Sequence, residues 1–271
     1  MGSEDKRVDK AYRSEAFIGG RDARQIRILA EYLFPESRFD ALRISDTIVF
    51  WGSARLLPRD VAVEMLEDVR ANGGDLQGAE RLVSMSRYYE DCRELARRLT
   101  EWSKGLEEKR RRFVICTGGG PGIMEAANRG ASEARGINIG LTISLPHEQR
   151  GNPYITRQLE FEFHYFFMRK FWFVYLAKAL IAFPGGFGTL DEFFEVVTLV
   201  QTGKIRKRLP IVLFGTDFWD AVLNLEALVR FGTIDRKDLD LFHKTDSVDE
   251  AFDIIVRELT HEALAQPGGR W

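Results

Sequence analysis

Two glycine-rich runs carry the clearest chemical potential in this sequence. The first reads Thr117-Gly118-Gly119-Gly120-Pro121-Gly122-Ile123-Met124-Glu125, and the second Pro184-Gly185-Gly186-Phe187-Gly188-Thr189-Leu190-Asp191-Glu192. Each follows a short apolar run and opens a helical pattern. Without Cβ atoms a backbone can approach a ligand closely, and free N–H groups at a helix start favour an anion. Glycines can also serve simply as tight strand-to-helix turns, but two such runs favour a phosphate-bearing ligand. Neither has the G-x-G-x-x-G spacing of a dinucleotide loop, and neither continues into the Gly-Lys-Ser/Thr of a Walker loop. A mononucleotide therefore fits better than NAD or ATP hydrolysis.

Two ionisable residues stand beside these runs. Thr189 and Glu192 have the spacing of a capping box, in which the Glu reaches back to the helix start. The same spacing also allows Thr189 and the glycine amides to hold a phosphate, with Glu192 one turn in and facing a sugar; both readings stand. The second residue is Arg169, in the run FEFHYFFMRKFWFVY at 161–175, which holds nine of the thirty-two Phe, Trp and Tyr residues. Helical spacing puts Arg169 on one face with Tyr165, Phe166, Trp172 and Phe173. A guanidinium among aromatics is costly without a partner, and Glu192 or an anionic nucleotide would supply one. Lys170 fits a cation whose stem lies on apolar surface, and His164 a structural residue.

The elements that must position these groups follow from periodicity. Helical spacing covers 22–34, with Pro35 as its stop. Residues 46–51 (DTIVFW) read as the first strand, 58–70 as a helix and 79–110 as a long amphipathic helix. The charged run 109–112 reads as the solvated end of that helix. From 113 onward strands are expected at 113–117, 137–145, 159–163, 179–183 and 210–214. Helices are expected at 122–135, 164–177, 190–201, 217–231 and 248–264, with a long polar loop at 146–157. Apolar strands alternating with helices predict an α/β fold: one doubly wound, Rossmann-like parallel sheet covered by helices on both faces. Residues 21–265 form this domain, between a flexible N-terminal tail at 1–20 and a C-terminal tail at 266–271.

Composition narrows the chemistry. The chain has 271 residues, 39 Lys and Arg against 41 Asp and Glu, and a net charge of −2. That balance argues against a nucleic-acid partner. Two cysteines and four histidines offer no disulfide framework and no metal-ligand spacing, and no cofactor is expected. The first residues lack an apolar leader, and no stretch reaches the roughly 20 apolar residues of a membrane span. A cytoplasmic protein with no membrane partner is the expectation.

Taken together, residues 117–125, Met168-Arg169-Lys170 and 184–192 resemble the LONELY GUY (LOG) family, often carried under a lysine decarboxylase label. The second run matches the family pattern P-G-G-x-G-T-x-x-E at every defined position. The likeness continues through LPHEQRGNPY at 145–154 and Gln201-Thr202-Gly203-Lys204, covering roughly 47–219. The long helix before Phe113 and the extended N-terminal region depart from the compact plant-like members. The resemblance implies a nucleoside 5′-monophosphate phosphoribohydrolase, which cleaves the N-glycosidic bond of AMP or an N6-modified, cytokinin-type AMP. Carried over residue by residue, Arg169 and Glu192 match the catalytic pair. Gly185, Gly186, Gly188 and Thr189 would hold the 5′-phosphate. Gly119, Gly120, Met124, Glu125, Lys170 and Ser53 would line the substrate site. The family also implies a homodimer or higher homo-oligomer. Pyridoxal chemistry would need a Schiff-base lysine, and no motif around Lys170 or Lys178 supports one. A non-catalytic nucleotide or cofactor carrier on the same fold is the alternative.

Overall fold

Burial on both faces explains why the inner strands of this protein are short and largely apolar, whereas the two edge strands carry exposed charged or polar residues. The computed structural model describes residues 10–106, 108–144, 151–264 and 267. The first part of the expected N-terminal tail, most of the C-terminal tail and the first five residues of the polar loop at 146–157 lie outside them. In chain order the elements begin with α1 (Glu15–Gly19), α2 (Arg24–Ala41), β1 (Thr47–Trp51), α3 (Arg59–Asn72) and α4 (Leu76–Lys104). Then come β2 (Val114–Thr117), α5 (Ile123–Glu133), β3 (Asn138–Ile143), β4 (Glu160–Phe163), α6 (Phe166–Tyr175) and β5 (Ala177–Ala182). The chain continues through α7 (Phe187–Gln201), β6 (Ile211–Phe214), α8 (Thr216–Val222), α9 (Leu225–Arg230), β7 (His243–Thr245) and α10 (Val248–Glu258).

The seven strands make one parallel sheet in the order β4-β3-β2-β1-β5-β6-β7. This is the doubly wound α/β fold expected from the sequence. Strand alternation splits the core in two. Ile48, Phe50, Ile115, Ile181 and Phe214 face α4, α5 and α10, meeting Tyr89, Leu95, Ala127 and Ile255. Val49, Trp51, Cys116, Leu180 and Leu213 face the other way, onto Phe39, Trp172, Phe173 and Phe193 from α2, α6 and α7.

Several expectations need correction. Pro35 does not stop a helix; α2 runs through it to Ala41. A proline inside a helix leaves the carbonyl four residues back without its donor. Here that carbonyl, on Glu31, accepts from the Trp172 indole Nε1 at 3.0 Å. The long helix ends at Lys104 with Gly105 following, so 109–112 is not a solvated helix end. Arg112 is buried, with its guanidinium on the Asp46 carboxylate and on the carbonyls of Ala263 and Leu264. The helix expected over 217–231 is broken at Leu223, and Asn224 caps the second piece by accepting from the Ala227 N–H at 3.1 Å. The last helix changes to a π-turn at Leu259–Ala263. The seventh strand, His243–Thr245, was not among the expected elements.

Candidate active site

Both glycine runs sit at the carboxyl ends of strands beside the point where strand order reverses. β1 pairs with β2 on one side and with β5 on the other, so the connections diverge there and leave a crevice. The turn after β1 ties the two runs together. The Ser53 N–H donates to the Pro184 carbonyl at 2.9 Å, and the Ile123 N–H donates to the Ser53 carbonyl at 3.0 Å. The Ser53 hydroxyl is held locally, accepting from the Arg55 N–H at 3.1 Å. Gly122 is needed at this crossing: its φ is 69°, and a Cβ would stand 2.9 Å from the Ala54 Cα.

A buried amide network sets the path of the first run. Thr117 Oγ1 donates to Asn128 Oδ1 at 2.7 Å and accepts from the Gly119 N–H at 2.9 Å. Asn152 Nδ2 reaches the carbonyls of Gly119 and Gly120 at 3.2 and 3.1 Å, and Asn128 Oδ1 at 2.9 Å. Asn128 in turn donates to Asn138 Oδ1 at 2.9 Å. All three asparagines are buried. None was singled out from the sequence, although Asn152 lies within the GNPY stretch of the family likeness. Beyond the turn, Met124 packs its sulfur against Gly118. Glu125 accepts from the Tyr89 hydroxyl of α4 at 2.8 Å.

The second run caps α7. Its N-cap is Gly186, with no side chain supplying a cap, so the Thr189–Glu192 capping box does not form. Gly186 and Gly188 are exposed, with open space where a Cβ would point, whereas Gly185 is closed in by the buried Thr189. Glu192 is turned instead toward α6. Its Oε1 lies 3.3 Å from Arg169 Nη2, and the two side chains are only 11 % and 13 % exposed. Burial pushes the Glu192 carboxyl up from 4.5 to about 7, against the opposing pull of Arg169 and Lys170. Desolvation likewise lowers the Arg169 guanidinium, with Glu192 and Asp191 opposing. Arg169 also lies over the rings of Phe166 and Phe173, at 5.3 and 5.6 Å. Its Nε is buried without a hydrogen-bond acceptor among the described residues, as is the Trp51 Nε1 at the end of β1.

The fold thus gathers Ser53, Gly119, Gly120, Met124, Glu125, Gly185, Gly186, Gly188 and Thr189 at one end of the sheet, with Arg169 and Glu192 paired beside them. Lys170 turns to the outer side of α7, bonding Asp191 at 2.7 Å and Glu195 at 2.9 Å. Among the described residues there is no group of three or more His, Cys, Asp and Glu that could hold a metal ion. No described helix is long and apolar enough to cross a membrane.

Comparison with known proteins adds the lineage. Residues 124–255 match the family model described as "Possible lysine decarboxylase", a stretch that contains Arg169, Glu192 and the second glycine run. The chain is 30% identical over 140 residues to "Cytokinin riboside 5′-monophosphate phosphoribohydrolase LOG" of Oryza sativa subsp. japonica, covering 51% of this chain and 52% of that protein. It is 35% identical over 118 residues to the corresponding LOG7 protein of Arabidopsis thaliana, covering 42% of this chain and 51% of that one. The match thus spans about half the length of these curated relatives. Among solved structures, the molybdenum cofactor binding protein of Rippkaea orientalis aligns with a TM-score of 0.49 at 15% identity, over 80% of this chain and 98% of that one. The decarboxylase description implies a Schiff-base lysine, and neither lysine considered from the sequence fits one. Lys170 is held by two carboxylates, and Lys178 is buried beside Asp46 at the amino end of β5. Over these stretches the chain is similar to the LONELY GUY (LOG) family, through the model match and the two plant relatives.

Proposed function

We propose that this protein is a phosphoribohydrolase acting on a purine nucleoside 5′-monophosphate, AMP or an N6-modified AMP, to release the free base and ribose 5-phosphate. The observation that carries the reading is the Arg169–Glu192 pair: a buried carboxyl poised near neutrality, locked to a guanidinium whose Nε–H still lacks an acceptor. Departure of a purine from C1′ builds positive charge on the ribose. An ionised Glu192 beside that carbon stabilises the charge and orients the attacking water. Arg169 keeps the carboxylate in place and offers its free N–H to the substrate. The 5′-phosphate sits on the amides of Gly186 and Gly188 at the start of α7, with Gly185 and Thr189 shaping the turn. Anchoring a group remote from the scissile bond fixes C1′ against the carboxylate. The plant relatives are named for this reaction on cytokinin nucleotides; the base taken by this chain is decided by assay. The exposed aromatics Phe166, Phe167, Phe187 and Phe194 around the crevice are covered by a second copy of the chain in a homodimer.

Chromatography of purified protein incubated with AMP and with N6-isopentenyl-AMP tests the reaction. Release of adenine or the prenylated base with equimolar ribose 5-phosphate is expected. Saturable binding of these nucleotides with no base released would support a carrier instead.

A further inference from the structure

The amino ends of the strands frame a second cavity, at the opposite end of the sheet from the glycine runs. Its volume is about 640 Å³, within the range of small-molecule sites. The C-termini of α2, α4 and α5 converge on it, together with the segment entering β2. Seven of its lining residues are Lys or Arg, and Glu108 is the one carboxylate among the described lining residues.

Helix C-termini attract cations by their partial negative charge, and that accounts for part of the set. Lys104 donates to the Ala134 carbonyl and Arg111 to the Leu42 carbonyl, each at 2.7 Å. Arg112 is paired with Asp46, and Arg110 lies 3.8 Å from Asp40. The other three, Arg43, Lys109 and Arg135, have no carboxylate partner among the described residues.

Backbone geometry points the same way. Arg43 and Arg135 have φ of 54° and Phe113 of 55°, and these are the only described non-glycine residues with positive φ. All three line this cavity. Arg43 and Arg135 each stand just past a helix end, in the left-handed position that glycine normally takes. An L side chain there is disfavoured, so two arginines are held at a backbone cost with no carboxylate beside them among the described residues. The surplus of positive charge calls for several negative charges on the ligand, and the volume exceeds that of a lone phosphate. Leu42, Leu106 and Ile137 add apolar wall for a ring. We propose that this cavity is a binding site for a nucleoside di- or triphosphate, separate from the crevice of Arg169 and Glu192.

Calorimetric titration of the full chain near physiological salt with ATP, GTP and inorganic tripolyphosphate tests this. Saturable binding of at least one nucleotide is expected, with tripolyphosphate weaker for want of the ring. An Arg43→Gly, Arg135→Gly double variant suits the left-handed backbone, so its Tm should be unchanged or higher, while nucleotide affinity falls about tenfold or more. Lys109→Ala, away from the strained positions, should also weaken binding. No binding by the native chain, full affinity in the double variant, or tripolyphosphate binding as tightly as the nucleotides would each overturn the proposal.

Discussion

Burial and Arg169 act on Glu192 in opposite directions, and burial wins, leaving the carboxyl near 7. Between about pH 4.5 and 7 the folded protein therefore holds a proton that the unfolded chain has released. Stability falls as pH rises through that window and stays low above it. At about 1.4 kcal/mol per pKa unit the decline amounts to about 3 kcal/mol. In Glu192→Gln this slope should vanish, which urea melts at pH 5 and pH 8 would reveal; an unchanged slope would assign the titration elsewhere. The same variant should lose turnover by about a hundredfold or more, and native kcat/KM should climb with pH through about 7 as the carboxylate forms. A second prediction separates glycines by the room around them. A Cβ at position 185 would stand 2.6 Å from the Thr189 Cβ, whereas one at 186 meets nothing within 4 Å. Gly185→Ala should cost about 1–3 kcal/mol in a denaturant melt. Gly186→Ala should keep its stability within about 0.5 kcal/mol and show its effect as a raised KM.

At the scale of elements, α2 and α6 are joined by more than apolar packing. The Glu31 carbonyl takes the Trp172 indole, and the Glu31 carboxylate accepts from the backbone N–H groups of His164 and Tyr165, at 2.8 and 3.3 Å. Glu31 thereby fixes the start of the helix that carries Arg169. Trp172→Phe would leave that part-buried carbonyl without its side-chain donor, at a cost of about 1 kcal/mol. If α6 shifts as a result, kcat should fall while nucleotide affinity holds; a melt and a Michaelis curve on one preparation would show both. These joints also mark where the sequence was legible. Strands buried on both faces announce themselves as apolar runs, and the crowding of aromatics around Arg169 called for a partner that Glu192 supplies. Pro35 misled because the donor replacing its missing N–H comes from Trp172, far along the chain. Arg112 was hidden in a charged run because its partner Asp46 precedes it by a whole helical layer. The edge strand β7 has two exposed residues of three and so lacks an apolar signature. The asparagine network joins residues 117, 128, 138 and 152, and no local pattern links them.

Taken as a whole, the molecule is unequally covered. The face carrying α2, α6 and α7 leaves Leu29, Leu33, Phe166, Phe167, Phe187 and Phe194 exposed, with Phe187 at 92%. Apolar surface of this kind marks an interaction site on an otherwise polar protein. Under the homodimer reading, light scattering coupled to gel filtration should give about twice the monomer mass of 31.1 kDa. A Phe166→Glu, Phe167→Glu double variant should move the protein toward the monomer. A monomeric native chain would dismiss that reading while leaving the arrangement of Arg169 and Glu192 untouched.

The strand order has a consequence for biosynthesis. Of the seven described strands β1 is the first to be synthesised, yet it ends at the centre of the sheet, between β2 and β5. Its partner on the second side is not made until residues 177–182, on the order of ten seconds later at ordinary rates of translation. Through that interval one backbone edge of the wholly buried Thr47–Trp51 strand has no native neighbour, a state open to mispairing with other nascent chains. The rate at which the second half of the chain arrives thus decides how long this strand must be shielded.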